Sequence, residues 1–355
     1  MPIKYSTPGR ICLFGEHQDY LGLPVIAAAI SRRIRLWGTK RTDSQVIINL
    51  PNVNRVDFFS MNDLKYRHER DYFKSGIVVL KAAGFEFNSG FDVEVDGNIP
   101  INSGTSSSSA LLVSWIAFLA ENCENPQKLR PSEIAEFAYK AEVLEFGEPG
   151  GMMDHYSTAI GHLIYLESQP KINVEELKPK LGTFVLGDSL EPKDTIGILG
   201  FVKNGMLEII RRIKEFNPEF NLHNVDSQSI GIYQNVFAED EFLLLKANID
   251  DRDILRAALL RIRTGTLTDV ELGNLLNQHQ RNLREFKKIS TPKIDKMIES
   301  ALHAGALGAK INGSGGGGCM FAYAPQNSEV VAEAIEKVGG KAYIIEIDKG
   351  LSMDN

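Results

Sequence analysis

The sequence predicts an α+β fold in two lobes, and three observations carry that expectation. The chain has 355 residues, more than one hydrophobic core usually organises. Its first fifty residues alternate in the β manner, and a hydroxyl-rich loop at 97–109 then runs into an apolar, helix-length stretch at 110–120. Taken in order, Ile11 and Leu13, then 25–30 and 46–50, read as strands. Tyr72, Gly76, Val79, Leu80 and Ala83 keep helical spacing, and 91–95 alternates as the strand that enters the loop. A further helix follows Pro131 and Ser132, with Ile134, Phe137, Ala138, Ala141 and Leu144 on one stripe, until Gly150 and Gly151 break it. Residues 162–166 read as a strand. Residues 167–181, with Pro170 and Pro179, read as a connection between domains at 1–175 and 176–355. Beyond it the spacing predicts helices near 204–216, 254–263 and 270–286, and a short strand at 320–323 behind a glycine run.

Composition narrows the function classes. Hydrophobic residues at 43% and charged residues at 24% are those of a globular protein, and a net charge of −7 offers no basic footprint for nucleic acid. No apolar run reaches membrane-spanning length, and the opening Met-Pro-Ile-Lys-Tyr-Ser has no signal-type hydrophobic region. Cys12, Cys123 and Cys319 are odd in number, far apart and without metal-ligand spacing, which fits a reducing cytoplasm and packing roles.

The loop Gly104, Thr105, Ser106, Ser107, Ser108, Ser109 is the most informative segment. Small residues let backbone N–H groups face a ligand, and the helix behind them presents unsatisfied donors and the positive end of its dipole, so a phosphate chain is the expected occupant. The bland alternative is a serine-rich surface linker. Gly313, Gly315 and Gly318 satisfy a dinucleotide pattern formally, but a strand follows where a helix is needed. That glycine run is read instead as a close backbone approach or a flexible hairpin. Glu142 sits toward the apolar stripe of its helix and wants a positive partner, with magnesium one candidate and a lysine or solvent the other. Asp154, after two glycines and two methionines, reads as a cleft carboxylate or a helix N-cap. Arg10, Glu16, His17 and Asp19 form a dense hydrogen-bonding set suited to a polyhydroxylated ligand, or an exposed charged turn.

Three segments in order resemble the signature motifs of the GHMP small-molecule kinases, and the first is similar to a galactokinase sugar signature. They are Gly9-Arg10-Ile11-Cys12-Leu13-Phe14-Gly15-Glu16-His17-Gln18-Asp19-Tyr20, the stretch 100–110, and the run 313–319; 141–142 and 149–154 keep galactokinase spacing between them, and 275–279 and 289–295 resemble C-lobe segments. The resemblance implies an N-terminal lobe like the second domain of ribosomal protein S5 and a ferredoxin-like C-terminal lobe. It implies that ATP lies on 104–109 with Gly315 and Gly316 nearby, that Ser108 and Glu142 hold Mg²⁺, and that Asp154 is the base oriented by Arg10. Glu16, His17 and Asp19 would hold sugar hydroxyls. The implied activity is ATP-dependent phosphorylation of a sugar at its anomeric hydroxyl, galactose favoured, without nucleic-acid or membrane partners. Leu21-Gly22-Leu23 departs from the usual Asn-Gly-Gly turn, and the third motif is closer to mevalonate and heptose kinases. Another hexose, a uronic acid, a heptose or mevalonate therefore stays open as substrate, as does a sugar and ATP sensor without turnover.

Overall fold

The computed structural model describes residues 4–101, 103–148, 150–192, 197–198 and 200–354; Asn102 of the serine-rich stretch and Pro149 of the 149–154 segment lie outside them. The first lobe is an eight-stranded sheet under helices. Strands β1 (Lys4–Phe14) and β2 (Val25–Lys40) form its antiparallel centre, followed by β3 (Gln45–Leu50), β4 (Arg55–Ser60), helix α1 (Tyr72–Ala82) and β5 (Phe91–Gly97). Strand β5 pairs antiparallel with β2 and parallel with β3, so the chain crosses the sheet face through α1 between them. Then come α2 (Ser107–Asn122), α3 (Pro131–Tyr139), α4 (Met153–Ile160), β6 (Leu163–Glu167) and β7 (Asn173–Leu177).

Helix α2 is apolar on nearly every side, as a helix enclosed by neighbours must be, and 112–120 are all buried. Its one interior hydroxyl away from the N-terminus, Ser114, meets the Thr7 hydroxyl at 2.7 Å, which removes the cost of an unpaired polar group. Burying Phe118 and Leu119 stabilises the lobe by roughly 1.5–3 kcal/mol each. The fixed helix brings its N-terminus against β1.

The second lobe holds β8 (Phe184–Asp188), α5 (Gly205–Phe216), α6 (Glu239–Thr264), α7 (Asp269–Glu285), α8 (Pro292–His303), β9 (Gly308–Asn312), β10 (Cys319–Tyr323), α9 (Ser328–Lys337) and β11 (Lys341–Ile345). Its strands run antiparallel in the order β11-β8-β10-β9. The last strand, β12 (Ser352–Asp354), returns to the first sheet and pairs with β1. A third apolar cluster joins the lobes: Leu13 and Phe14 of β1 share it with Leu255, Leu276 and Phe321.

Several expectations are corrected. Residues 167–181 are not a plain connection, because 173–177 pair with β6 and bury Leu177. The segment at 254–263 is the second half of a 26-residue helix whose acidic first turn (Glu239, Asp240, Glu241) hides the periodicity. Arg10 lies within β1 rather than after a strand, and Asp154 is in the first turn of α4, whose N-cap is Met152. Among the described residues no helix is long and apolar enough to cross a membrane.

Candidate functional site

A register shift places the first functional side chain. Between Pro8, opposite Arg33, and Arg10, opposite Ala29, the β1–β2 register shifts, the two extra residues lying on β2, and such irregularities re-aim side chains. The Arg10 guanidinium, 4% exposed, meets Asp154 through Nε and Nη2, each 2.8 Å from Oδ1, and donates through Nη1 to the carbonyl of Gly104. Its backbone N–H donates to Thr105 O at 3.2 Å, so β1 and the serine-rich loop are laced side by side. Asp154 keeps 31% of its side chain open. Burial pushes its carboxyl up, but the charge and hydrogen bond of Arg10, the charge of His155 and the Ser106 hydroxyl together hold it below the ordinary value.

Next along α4, His155 Nε2 lies 2.7 Å from Glu142 Oε2, and the Ser109 hydroxyl donates to the same oxygen at 2.7 Å. Glu142 is buried within a single π-helical turn, Lys140–Leu144, that continues α3. Burial pushes its carboxyl up; the hydrogen bond and charge of His155 and the hydroxyls of Ser108 and Ser109 draw it below the ordinary value, so it is ionised. One carboxylate and one hydroxyl at a helix N-terminus suit a hard cation that keeps most of its water. Among the described residues no three His, Cys, Asp or Glu side chains gather where they could hold a metal ion. Ser106 takes the left-handed conformation at φ 62° as N-cap of α2, and Ser107 and Ser108 of the first turn line a groove of about 780 Å³. Its walls include Ile34, Leu50, Val53, Ile99 and Leu111, with Arg70 and Tyr72 also lining it.

The turn after β1 behaves otherwise. Glu16, 2% exposed, gives its two carboxylate oxygens to Lys310 Nζ and the Gly313 N–H. Burial pushes His17 down to about 3, so its ring is neutral; Nε2–H donates to Ser314 O at 3.0 Å, and Nδ1 accepts the Tyr20 hydroxyl at 2.9 Å. Asp19 lies across Gly151, where a Cβ would come within 1.8 Å of its Oδ2. Burial, with the nearby charge of Asp154, pushes Asp19 up to about 6. Arg10, Asp154, Glu142 and the serine loop thus form one hydrogen-bonded network with Asp19 beside it, whereas Glu16 spends both carboxylate oxygens on the second lobe and His17 one ring nitrogen there and one on Tyr20.

The glycine run is the hairpin between β9 and β10. Gly313 abuts Gly104, while Gly315 meets Ile289 and the Gly316 N–H donates to Ile289 O at 2.8 Å. Gly315 and Gly316 are therefore engaged in packing rather than displayed to a phosphate. Sequence reading missed His155, and it missed Asn312, whose side chain accepts from Cys12 N at 2.9 Å and donates to Gly104 O at 2.8 Å. Neither has a spacing that marks it. Apart from Ser107 and Ser108, the groove residues are scattered over 34–111 and carry no motif.

Residues 71–162 match the GHMP kinases N terminal domain, 258–343 the GHMP kinases C terminal domain, and 2–40 the galactokinase galactose-binding signature. The chain is 29% identical to the mevalonate kinase of Thermococcus onnurineus, covering 100% of this chain and 99% of that protein. It is also 29% identical to the galactokinase of Enterococcus faecalis, covering 98% and 94%. Its fold is similar to that of Lactococcus lactis galactokinase complexed with galactose, at a TM-score of 0.86 and 23% identity over 99% of this chain and 95% of that one. Methanococcus jannaschii mevalonate kinase follows the same fold at a TM-score of 0.74 and 18% identity, over 98% of each chain.

Proposed function

Since the chain belongs to the GHMP kinase family and is an ATP-dependent kinase, we propose that it phosphorylates a sugar, galactose favoured, at the anomeric hydroxyl. The observation that carries this reading is the Arg10–Asp154 pair, its carboxylate partly exposed and its guanidinium set against the loop that caps α2. The loop 104–109 and the α2 N-terminus take the triphosphate, and the 780 Å³ groove takes the nucleoside against Leu50, Val53 and Leu111. Ser108 and Glu142 would hold Mg²⁺, which when bound offsets charge on the phosphate oxygens. Asp19 addresses a hydroxyl of the acceptor, while Glu16 and His17 shape the turn that carries it.

Asp154 receives the proton of the attacking alcohol. A carboxylate held below its ordinary value is too weak a base to ionise an alcohol in advance, so the proton moves as the new P–O bond forms. In a loose phosphoryl-transfer transition state that timing is adequate, and positioning supplies most of the acceleration. Arg10 keeps Asp154 aimed and offsets charge on the transferring group.

A second reading, an alcohol that bears a carboxylate such as mevalonate, is favoured by Lys203. Its ammonium lies 5.2 Å over the Tyr20 ring and feels the charge of Asp19, which places a cation at the acceptor turn. An ADP-release assay over galactose, other hexoses, a uronic acid, a heptose and mevalonate separates the readings. Release with galactose supports the first, release with mevalonate alone replaces it with the second, and stoichiometric binding without release on every acceptor overturns both.

A further inference from the structure

The turn between β1 and the short helix at Asp19 belongs by sequence to the first lobe, yet its fastenings come from the second. Besides the Lys310 and Gly313 contacts to the Glu16 carboxylate, Lys287 Nζ donates to the Glu16 carbonyl at 3.2 Å, and Gln18 Nε2 donates to Asn248 O at 2.6 Å. His17 is held at φ 60°, a left-handed conformation that a residue with a Cβ keeps only where its surroundings impose it.

Lys287 has no exposure at all. Its ammonium is 2.8 Å from Asp251 Oδ2, Asp251 Oδ1 accepts from Asn282 Nδ2 at 2.7 Å, and His279 Nε2 lies 3.5 Å from Oδ2. A buried ion pair contributes little net stability, because desolvation offsets most of the attraction, and apolar residues of like volume serve a core as well. What apolar residues cannot supply is a donor for a backbone carbonyl of the acceptor turn. We propose that the buried Asp251–Lys287 pair, with the Asn248 carbonyl beside it, is a positioning device by which the second lobe fixes the backbone at 16–18 and so the direction in which Asp19 enters the site. None of these groups touches the reacting atoms. The proposal rests on the reading that this turn addresses the phosphoryl acceptor.

The test is the double variant Asp251→Asn/Lys287→Met in the full-length chain, which removes both charges without leaving either unpaired. Hydrogen exchange of peptides spanning 15–19 and 107–122 is measured alongside KM for whichever acceptor the wild type phosphorylates. Exchange in 15–19 and the acceptor KM both rise by about tenfold, the worth of a lost buried hydrogen bond, while the ATP KM, kcat and α2 protection stay within about threefold. Asp251→Asn/Lys287→Gln, whose amide still reaches toward the Glu16 carbonyl, recovers most of the acceptor KM. A folded methionine variant with wild-type exchange at 15–19 and wild-type acceptor KM overturns the proposal. If that variant does not fold, Gln18→Met cuts the neighbouring tie without stranding a charge, and the same two readouts decide in the same way. Exchange needs no substrate, so a wild type that phosphorylates no acceptor defeats the functional reading alone and leaves the positioning measurement standing.

Discussion

Two loops of small residues meet at the centre of this molecule, and they use smallness for opposite ends. In the serine loop at 103–109 the side chains matter. Ser109 donates to Glu142 at 2.7 Å, Ser107 and Ser108 line the groove, and the α2 N-terminus stands behind them. In the glycine hairpin at 313–318 the absence of side chains matters. A Cβ on Gly313 would lie 2.8 Å from Gly104 O, and one on Gly315 would lie 2.6 Å from Ile289 O, both at positive φ. The hairpin fills the joint between lobes, and its N–H groups at 316 and 318 donate to carbonyls of Ile289 and Glu191. A run of small residues in a sequence therefore signals a bare backbone without saying whether a ligand or another backbone comes up to it.

The largest effect expected from the serine side is that of Asp154→Asn. It keeps a hydrogen-bonding shape beside Arg10 but accepts no proton, so kcat falls by on the order of 10²- to 10⁴-fold with the fold intact. Steady-state ADP release on the identified acceptor checks this, and a near wild-type kcat removes Asp154 from its role. A pair of exchanges addresses the comparison itself. Gly313→Ser forces a side chain onto a backbone at φ 81° facing Gly104, so it destabilises by roughly 1–3 kcal/mol and lowers thermal midpoint and activity together. Ser108→Gly in the other loop removes a hydroxyl and leaves the fold, so the ATP KM rises by about tenfold while the melting midpoint shifts little. If the two variants show the same profile, the contrast between the loops is wrong.

Legibility followed distance along the chain. The serine loop, Glu142, Asp154 and the 10–19 segment are local patterns, and in the structure Arg10 pairs with Asp154, Glu142 meets the neighbouring His155, and Asp19 lies close enough to feel the Asp154 charge. What stayed hidden were partners nearly three hundred residues away: Lys310 for Glu16, Lys287 for its carbonyl, Asn312 for Cys12. A lysine in a strand or after a helix looks like a surface charge until topology encloses it, and nothing in its neighbours' periodicity says otherwise. The same blindness made Glu16 and His17 look like ligands displayed on a turn. Strand β4 and helix α9 went unread because both carry charged residues along their length.

Asp19 sharpens the comparison from the acceptor side, since the turn that carries it is braced by the glycine hairpin while its titration responds to burial and to the Asp154 carboxylate. Its carboxyl is pushed up to about 6 by burial and then by Asp154, so it is ionised above that pH and protonated below. Protonation removes a charge-assisted acceptor, and the acceptor KM should rise by about tenfold between pH 7 and pH 5. Asp19→Asn flattens that limb at a uniformly higher KM. Asp154→Asn, by removing the neighbouring charge, shifts the limb to lower pH in direct acceptor binding. Stability responds with the opposite sign. Because the folded carboxyl titrates above its unfolded value of 3.8, its contribution is fully present below that value and is lost as pH rises toward 6. Wild type should therefore lose stability relative to Asp19→Asn as pH rises toward 6, while its affinity for the acceptor rises. Parallel rather than opposed trends would mean that some other group governs the site's pH response.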